Sequence, residues 1–284
     1  MSRVFVDMVL STPTDEEFNE TLSYQLHGLG FSGFLEDERG FHCYISKQSW
    51  NDILHRNVLE LLSTHASRRI VISAIEKIED KNWNQRWEES IQPIDVTPTI
   101  VITPSWHQLP SDTRKTVLLI DPKMSFGTGY HETTRLMIRL IEKHIARDSF
   151  VLDVGTGTGV LAIAAVKLGA TRAIGVDTDE WCSLNGKENV ELNNLVDRVD
   201  IRLGSLEVVT ETGFDVILAN ITRGTIIDLL PSMLEKLGQR GILLCSGFMV
   251  EDLEIISRSL KTSRCSIETV IRENEWLGVA ARKS

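Results

Sequence analysis

The sequence predicts a doubly wound α/β domain of mainly parallel strands, preceded by a small α+β unit. Three observations carry this expectation. Residues 150–283 alternate short β-branched runs with helical patterns, and strands alternating with helices build parallel sheets. The run FVLDVGTGTG at 150–159 joins an apolar strand to a helix start through three closely spaced glycines. Residues 3–79 read in the order β-α-β-β-α-β, the pattern of a ferredoxin-like split βαβ unit. A length of 284 residues accommodates two domains.

Residues 3–11 alternate apolar and polar side chains and predict a half-buried strand. Residues 14–29 predict a helix, with Thr14 and Glu17 in capping-box spacing and Phe18, Leu22, Leu26 and Leu29 on one face. Gly28 and Gly30 stop it. A hairpin follows, 34–37 and 41–46, turning at Arg39-Gly40. Helical spacing then predicts a second helix over 48–65, and 69–79 closes the set as a strand. This first unit, 1–79, shows no cluster of catalytic residue types, so a recognition role is expected of it. Residues 80–93 are polar and charged, with Trp83 and Trp87 one helical turn apart. They predict a linker helix anchored by its two indoles.

The second domain spans 94–284. Residues 94–121 mix β-branched runs with prolines and predict short strands forming a flap before the main sheet. Residues 124–134 (MSFGTGYHETT) place a glycine loop ahead of a helix start at Thr133-Thr134. Exposed N–H groups and hydroxyls there can hold a carboxylate or a ribose, and simple capping by Thr is the alternative. The expected order is then strand 150–154, helix 158–169, strand 172–177, helix 180–194 and strand 199–203. Strand 214–219, helix 223–237, strand 241–246 and helix 250–261 follow, with two final strands near 264–273 and 277–283.

Composition narrows the class. The four cysteines (Cys43, Cys182, Cys245, Cys265) are scattered without a C-x-x-C pair, as expected of reduced core thiols in a cytoplasmic protein. No stretch approaches the ~18 apolar residues of a membrane span, and the N-terminus lacks the features of a signal peptide. A formal net charge of −10 disfavours extended contact with a phosphate backbone and suits a basic protein partner. No metal site is expected.

Ligands of doubly wound sheets sit at the carboxyl ends of strands. Asp153, Gly155, Asp177, Ser205 and Asn220 all fall at such ends. Glycines there let the backbone turn where a Cβ would collide, and the following helix start offers unpaired N–H groups. Gly155 and Gly157 fit a dinucleotide fingerprint, but Val160 stands where its third glycine belongs. The glycine comes one position early, at Gly159, behind the acidic strand end Asp153. This G-x-G-x-G pattern resembles motif I of class I methyltransferases that use S-adenosylmethionine. Asp177, 18 residues past Gly159, can accept both hydroxyls of a ribose, with a surface loop aspartate as its bland alternative; Asp179 is a weaker candidate and reads as solvated. Gly204-Ser205 stands where an adenine edge would lie, or is an ordinary turn. Asn220 can accept a hydrogen bond from an incoming amine; an Asx-turn is its bland alternative. Amino methyltransferases of nucleobases carry Asn-Pro-Pro-aromatic here, and Asn220-Ile221-Thr222 offers no aromatic to stack a flipped base. His131 is the one nearby imidazole and reads as structural.

Together MSFGTGYHETT, VLDVGTGTGVLAIAAVKLGA, AIGVDTD, VILANI and LLCSGF resemble the PrmA family, methyltransferases of the eleventh protein of the large ribosomal subunit. The resemblance covers nearly the whole chain and is weakest in the N-terminal domain. It implies a Rossmann-like methyltransferase fold, an N-terminal domain that grips the ribosomal protein, free or ribosome-bound, and repeated methylation of lysine side chains and an α-amine. It implies that Thr134, Gly155, Asp177 and Asn220 contact S-adenosylmethionine, with Gly157, Gly159 and Ser205 expected beside them and Asn220 expected to be catalytic. Departures are Thr156 and Thr158, where the family commonly has Cys and Ser, Tyr130 and Glu132 in the HxTT loop, and Glu180 after Asp179. A cytoplasmic monomer with no nucleic-acid or membrane requirement is expected. Action on another protein, or a non-catalytic binder on the same fold, are the competing expectations.

Overall fold

The computed structural model describes the chain except residues 1–3, 12–15, 32, 38, 66–67, 69, 80–91, 108, 111, 122–124, 126 and 128. The expected cap at Thr14 and the linker helix with Trp83 and Trp87 lie outside the described residues. Two compact units emerge, 1–91 and 92–284.

In the second unit, β5 (Ile94–Thr97), β6 (Ile100–Thr103) and β7 (Thr116–Leu119) form a three-stranded sheet. Then come α3 (Glu132–His144), β8 (Phe150–Val154), α4 (Val160–Lys167), β9 (Arg172–Asp177), α5 (Glu180–Leu192) and β10 (Val199–Leu203). The chain finishes with β11 (Phe214–Asn220), α6 (Arg223–Lys236), β12 (Leu237–Met249), α7 (Leu253–Thr262), β13 (Cys265–Glu273) and β14 (Trp276–Lys283). The main sheet has the order β10-β9-β8-β11-β12-β14-β13. Six strands share one direction and only β14, inserted between β12 and β13, runs antiparallel to them. The order reverses beside β8, which puts the switch point, and so the ligand crevice, at the end of the glycine-bearing strand.

Both sheet faces are apolar because both are covered. One carries α3, α4 and α5 through residues such as Ile138, Ile141, Ile163 and Val190. The other carries α6 and α7 through Ile226, Leu230, Ile256 and Leu260. The expected flap is corrected here. Ile100, Ile102, Leu118 and Ile120 are buried in the same core as α3 and α4, so β5–β7 are part of the domain body. Helix α4 starts at Val160, two residues later than its pattern, because Gly159 adopts a left-handed φ of 79°. Of the cysteines, Cys43, Cys245 and Cys265 are buried and all four are free thiols.

The first unit comprises β1 (Val4–Ser11), α1 (Glu16–Gly28), β2 (Gly33–Asp37), β3 (Gly40–Ser46), α2 (Asp52–Thr64) and β4 (Val71–Glu79). Its sheet order is β2-β3-β1-β4 with every neighbour antiparallel, a ferredoxin-like arrangement. Alternation along β1 and β3 puts Val6, Met8, Leu10, Phe41, Cys43 and Ile45 on one face. There they meet Phe18, Leu22 and Leu26 of α1 and Leu54, Val58 and Leu62 of α2. Helix α2 begins later than its periodicity predicts. Asn51 Oδ1 accepts from the N–H groups of Ile53 and Leu54 at 3.0 Å each, capping the helix and leaving Trp50 outside it.

The expectation that this unit lacks a cluster of catalytic residue types is corrected by strand pairing. His42 of β3 lies between two carboxylates, with Nδ1 2.8 Å from Asp7 Oδ2 and Nε2 2.9 Å from Asp37 Oδ1. These residues come from three strands, and 35 positions separate Asp7 from His42. Asp7 and His42 are almost wholly buried. Burial opposes charge on the ring, but the hydrogen bonds and charges of Asp7 and Asp37 outweigh it, so His42 titrates above its ordinary 6.5. Burial raises Asp7, against His42, while the Arg39 backbone N–H and His42 lower Asp37. Both ring nitrogens face acceptors, so the doubly protonated imidazolium is favoured. The stabilisation from His42 is therefore complete below pH 6.5 and lost as pH rises through its higher folded value. His42→Gln should cost roughly 2–3 kcal/mol of the first unit's stability at pH 6, and clearly less at pH 9. Urea unfolding of the full chain at the two pH values, followed by a probe in the first unit, measures the difference.

Candidate cofactor and active site

The strand end after β8 is a run of left-handed turns, with φ of 72° at Gly155, 54° at Gly157 and 79° at Gly159. L side chains rarely adopt that region, which accounts for the glycines. The turn is held by the neighbouring strand. Gly155 and Thr156 both donate to Val176 O at 2.9 Å, and Gly157 N–H donates to Asp177 Oδ2 at 2.9 Å. On its other side a Cβ at Gly155 would lie 2.4 Å from Ile221 Cγ2. The β8–β11 register pairs Val154 with Ala219, so Asn220 and Ile221 reach the first glycine directly.

Asp177 is thus more than a solvated loop carboxylate. Its Oδ1 also accepts from Asp179 N–H at 3.0 Å. Each carboxylate oxygen has a second lone pair, which leaves capacity for two hydroxyl donors. Asp179 is the N-cap of α5, accepting from Trp181 N–H at 2.7 Å and Cys182 N–H at 3.1 Å. At the next strand end Gly204 N–H donates to Asp177 O at 2.8 Å, bringing the Gly204-Ser205 turn beside Asp177. Ser205 precedes a 3-10 turn without capping it through its side chain.

Two alternatives left open by the sequence are removed. Helix α3 is capped by His131, not by a threonine: Thr133 N–H donates to His131 Nδ1 at 3.2 Å. The Thr134 hydroxyl is buried with no partner among the described residues. Asn220 makes no Asx-turn. Its Oδ1 is likewise buried and without a partner among the described residues. Buried polar atoms are ordinarily satisfied, and these two belong to ligand-side segments. A ligand bearing an amine, a carboxylate and a ribose fits an amide oxygen and an acidic strand end at a glycine turn, with the Thr134 hydroxyl at the start of α3. S-adenosylmethionine carries all three groups.

Several contributing residues escape motif reading. Gly175 of β9 pairs with Asp153, and a Cβ there would lie 2.7 Å from Thr156 Oγ1. That space admits the Thr156 hydroxyl, which donates to Asp153 Oδ2 at 2.6 Å. Gly186 of α5 lets the helix approach the turn, its Cα only 3.5 Å from a Cβ built on Gly159. Asn185, Asn189 and Asn193 all bond to the segment at β7. Their spacing of four along one helix is the signal the sequence offered.

The family model described as ribosomal protein L11 methyltransferase (PrmA) matches residues 33–284. A protein of that name from Chlorobaculum tepidum is 35% identical over 275 residues, covering 94% of this chain and 93% of that protein. Another from Clostridium botulinum is 36% identical over 207 residues, covering 73% of this chain and 66% of that protein. The crystal structure of a ribosomal protein L11 methylase from Lactobacillus delbrueckii subsp. bulgaricus matches with a TM-score of 0.64 and 31% identity. It covers 68% of this chain and 100% of that one.

Asp153 carries the electrostatic signature of the site. Burial raises its carboxyl, the Thr156 hydroxyl and the Ala162 N–H pull it down, and the charge on Asp177 pushes it up again, to about 7. The folded state therefore binds a proton that the unfolded chain, at the ordinary 3.8, has released. That contribution is present at low pH and is lost as pH rises through about 7. Between pH 5 and pH 8 the ligand-free chain should lose ~2–3 kcal/mol of stability through this group. Asp153→Asn should remove that part of the decline. Unfolding midpoints across this range, compared between the two proteins, provide the measurement.

Proposed function

The chain belongs to the ribosomal protein L11 methyltransferase family and is an S-adenosylmethionine-dependent methyltransferase; from that premise we propose that it N-methylates lysine side chains, and the α-amine, of ribosomal protein L11. The observation that supports the site assignment is the pair of orphaned buried oxygens, Thr134 Oγ1 at the start of α3 and Asn220 Oδ1 at the end of β11, the latter next in sequence to the Ile221 that closes on Gly155.

Bound in the crevice, S-adenosylmethionine supplies a methyl group on a sulfonium, open to in-line displacement by an amine. Each residue then has a distinct task. Asp177 holds the ribose hydroxyls on the lone pairs that Gly157 and Asp179 leave open. Gly155, Gly157 and Gly159 bring backbone close to the ligand, and the start of α4 offers its N–H groups. The Ser205 turn borders the adenine. Thr134 offers its hydroxyl to the amino-acid end. Asn220 Oδ1 accepts an N–H of the incoming amine and aims its lone pair.

The nucleophile must be neutral, and a free lysine titrates near ~10.4. Desolvation on entering the site lowers that value, and the released proton passes to water. Positioning and charge placement supply the rate enhancement. The absence of an aromatic after Asn220 fits an amine better than a flipped base. The first unit, with its ferredoxin-like sheet, is assigned to gripping the substrate. Residues 80–93 are assigned as the linker, and the enzyme is assigned as a cytoplasmic monomer. No helix among the described residues is long and apolar enough to cross a membrane.

Incubating purified L11 with the enzyme and S-adenosylmethionine should raise its intact mass in steps of one methyl. The number of steps gives the multiplicity, and peptide mapping gives the acceptors. An unchanged mass, with cofactor binding shown in the same preparation, would move the acceptor to another protein. Asn220→Ala should fold normally and lower turnover by at least roughly tenfold, the loss of one well-placed hydrogen bond. Asp177→Ala should weaken S-adenosylhomocysteine binding by ~2 kcal/mol, as for charge-assisted hydrogen bonds. Titration calorimetry reads this value, and unaltered affinity would reject the ribose assignment.

A further inference from the structure

The glycine turn is fastened to a segment distant in sequence by two buried side chains. Thr158, wholly buried within the turn, donates from Oγ1 to Gly127 O at 2.9 Å. Its own carbonyl accepts from Asn189 Nδ2 at 2.9 Å. The other end of the Asn189 amide accepts from Asp121 N–H at 2.9 Å. Asn185 adds a bond to Asp121 O at 2.9 Å. The segment that leads into α3 and Thr134 is therefore tied to the turn at Asp121 and again at Gly127.

The contact at Gly127 has no slack. Its φ is 103°, and a Cβ there would lie 2.7 Å from Thr158 Oγ1 and 3.2 Å from Val160 Cγ1. Gly127 is buried, so its carbonyl relies on the Thr158 hydroxyl in place of water. What the bond sets is the separation between two ligand-side elements, the glycine turn and the start of α3 with its orphaned Thr134 hydroxyl.

We propose that Thr158 is a positioning residue for the cofactor site, latching Gly127 onto the glycine turn while Asn189 holds Thr158 in place. The proposal rests on the reading of this turn as the S-adenosylmethionine site. Without the hydroxyl, Gly127 O is buried and unpaired, and the segment relaxes away from the turn. The cost falls on ligand affinity, because the ligand must restore the lost spacing when it binds.

The test uses the full chain and S-adenosylhomocysteine in titration calorimetry, with apo melting measured alongside. Thr158→Val keeps the shape and removes the donor; Thr158→Ser keeps the donor. Thr158→Val should weaken binding roughly tenfold, the scale of leaving one buried acceptor unpaired, and raise KM for the cofactor by a similar factor. Its kcat at saturation should change far less, and Thr158→Ser should bind within about twofold of wild type, roughly 0.4 kcal/mol. Gly127→Ala, whose Cβ would meet the Thr158 hydroxyl at 2.7 Å, should also lower affinity by forcing Gly127 off Thr158. It carries the test alone if the valine variant fails to fold. Wild-type affinity in Thr158→Val or in Gly127→Ala would overturn the latch, as would equal impairment of Thr158→Ser and Thr158→Val. A wild-type chain that binds no S-adenosylhomocysteine would overturn the cofactor reading and the latch together, whereas normal wild-type binding with unaffected variants sinks the latch alone.

Discussion

The structure depends on one steric constraint: there is no room for a side chain between the first glycine of the turn and the end of β11. A Cβ at Gly155 would meet Ile221 at 2.4 Å. Because the strands approach so closely, Asn220 stands beside the turn. A second glycine continues the pattern, since a Cβ at Gly247 would lie 2.2 Å from Ile221 O. Residue 221 is pressed between two strand ends, and the amide that precedes it is presented at the crevice.

Polar side chains then do work that strands and helices usually do for themselves. β7 pairs with β6 along one edge. On its other side Leu119 N–H donates to Asn193 Oδ1 at 3.1 Å and Leu119 O accepts from Asn193 Nδ2 at 2.6 Å. Asn189 repeats the arrangement with Asp121. A side-chain amide carries the same donor and acceptor as a peptide group, so asparagines at successive turns of α5 stand in for a missing neighbour strand. The buried amides of Asn189 and Asn193 are tolerated because both ends of each are paired. The same helix makes room for the glycine turn at Gly186 and caps itself with Asp179 next to Asp177.

The two units solve different problems. In the second, the buried Thr134 hydroxyl and Asn220 amide oxygen at the ends of elements have no partner among the described residues. In the first, charged groups with no evident ligand are paired with one another, the buried Asp7 and His42 with the exposed Asp37. The smaller unit uses the buried His42 and Asp7, with the more exposed Asp37, to join strands that meet only in the tertiary structure.

The amino-acid sequence by itself determined the element order of both units, the glycine turn and the strand-end positions of Asp177 and Asn220. Each is encoded within a few neighbouring residues, through a period of two or 3.6 and the steric needs of glycine. It also led to the family, because the motifs are short, contiguous runs. Tertiary structure alone decided that residues 94–121 pack into the body, that His131 rather than a threonine caps α3, and that Gly127, Gly175, Gly186 and Asn189 shape the crevice. It alone brought Asp7, Asp37 and His42 together. Those features arise from pairings between segments tens of residues apart, and local periodicity carries no information about which distant backbone a side chain will meet.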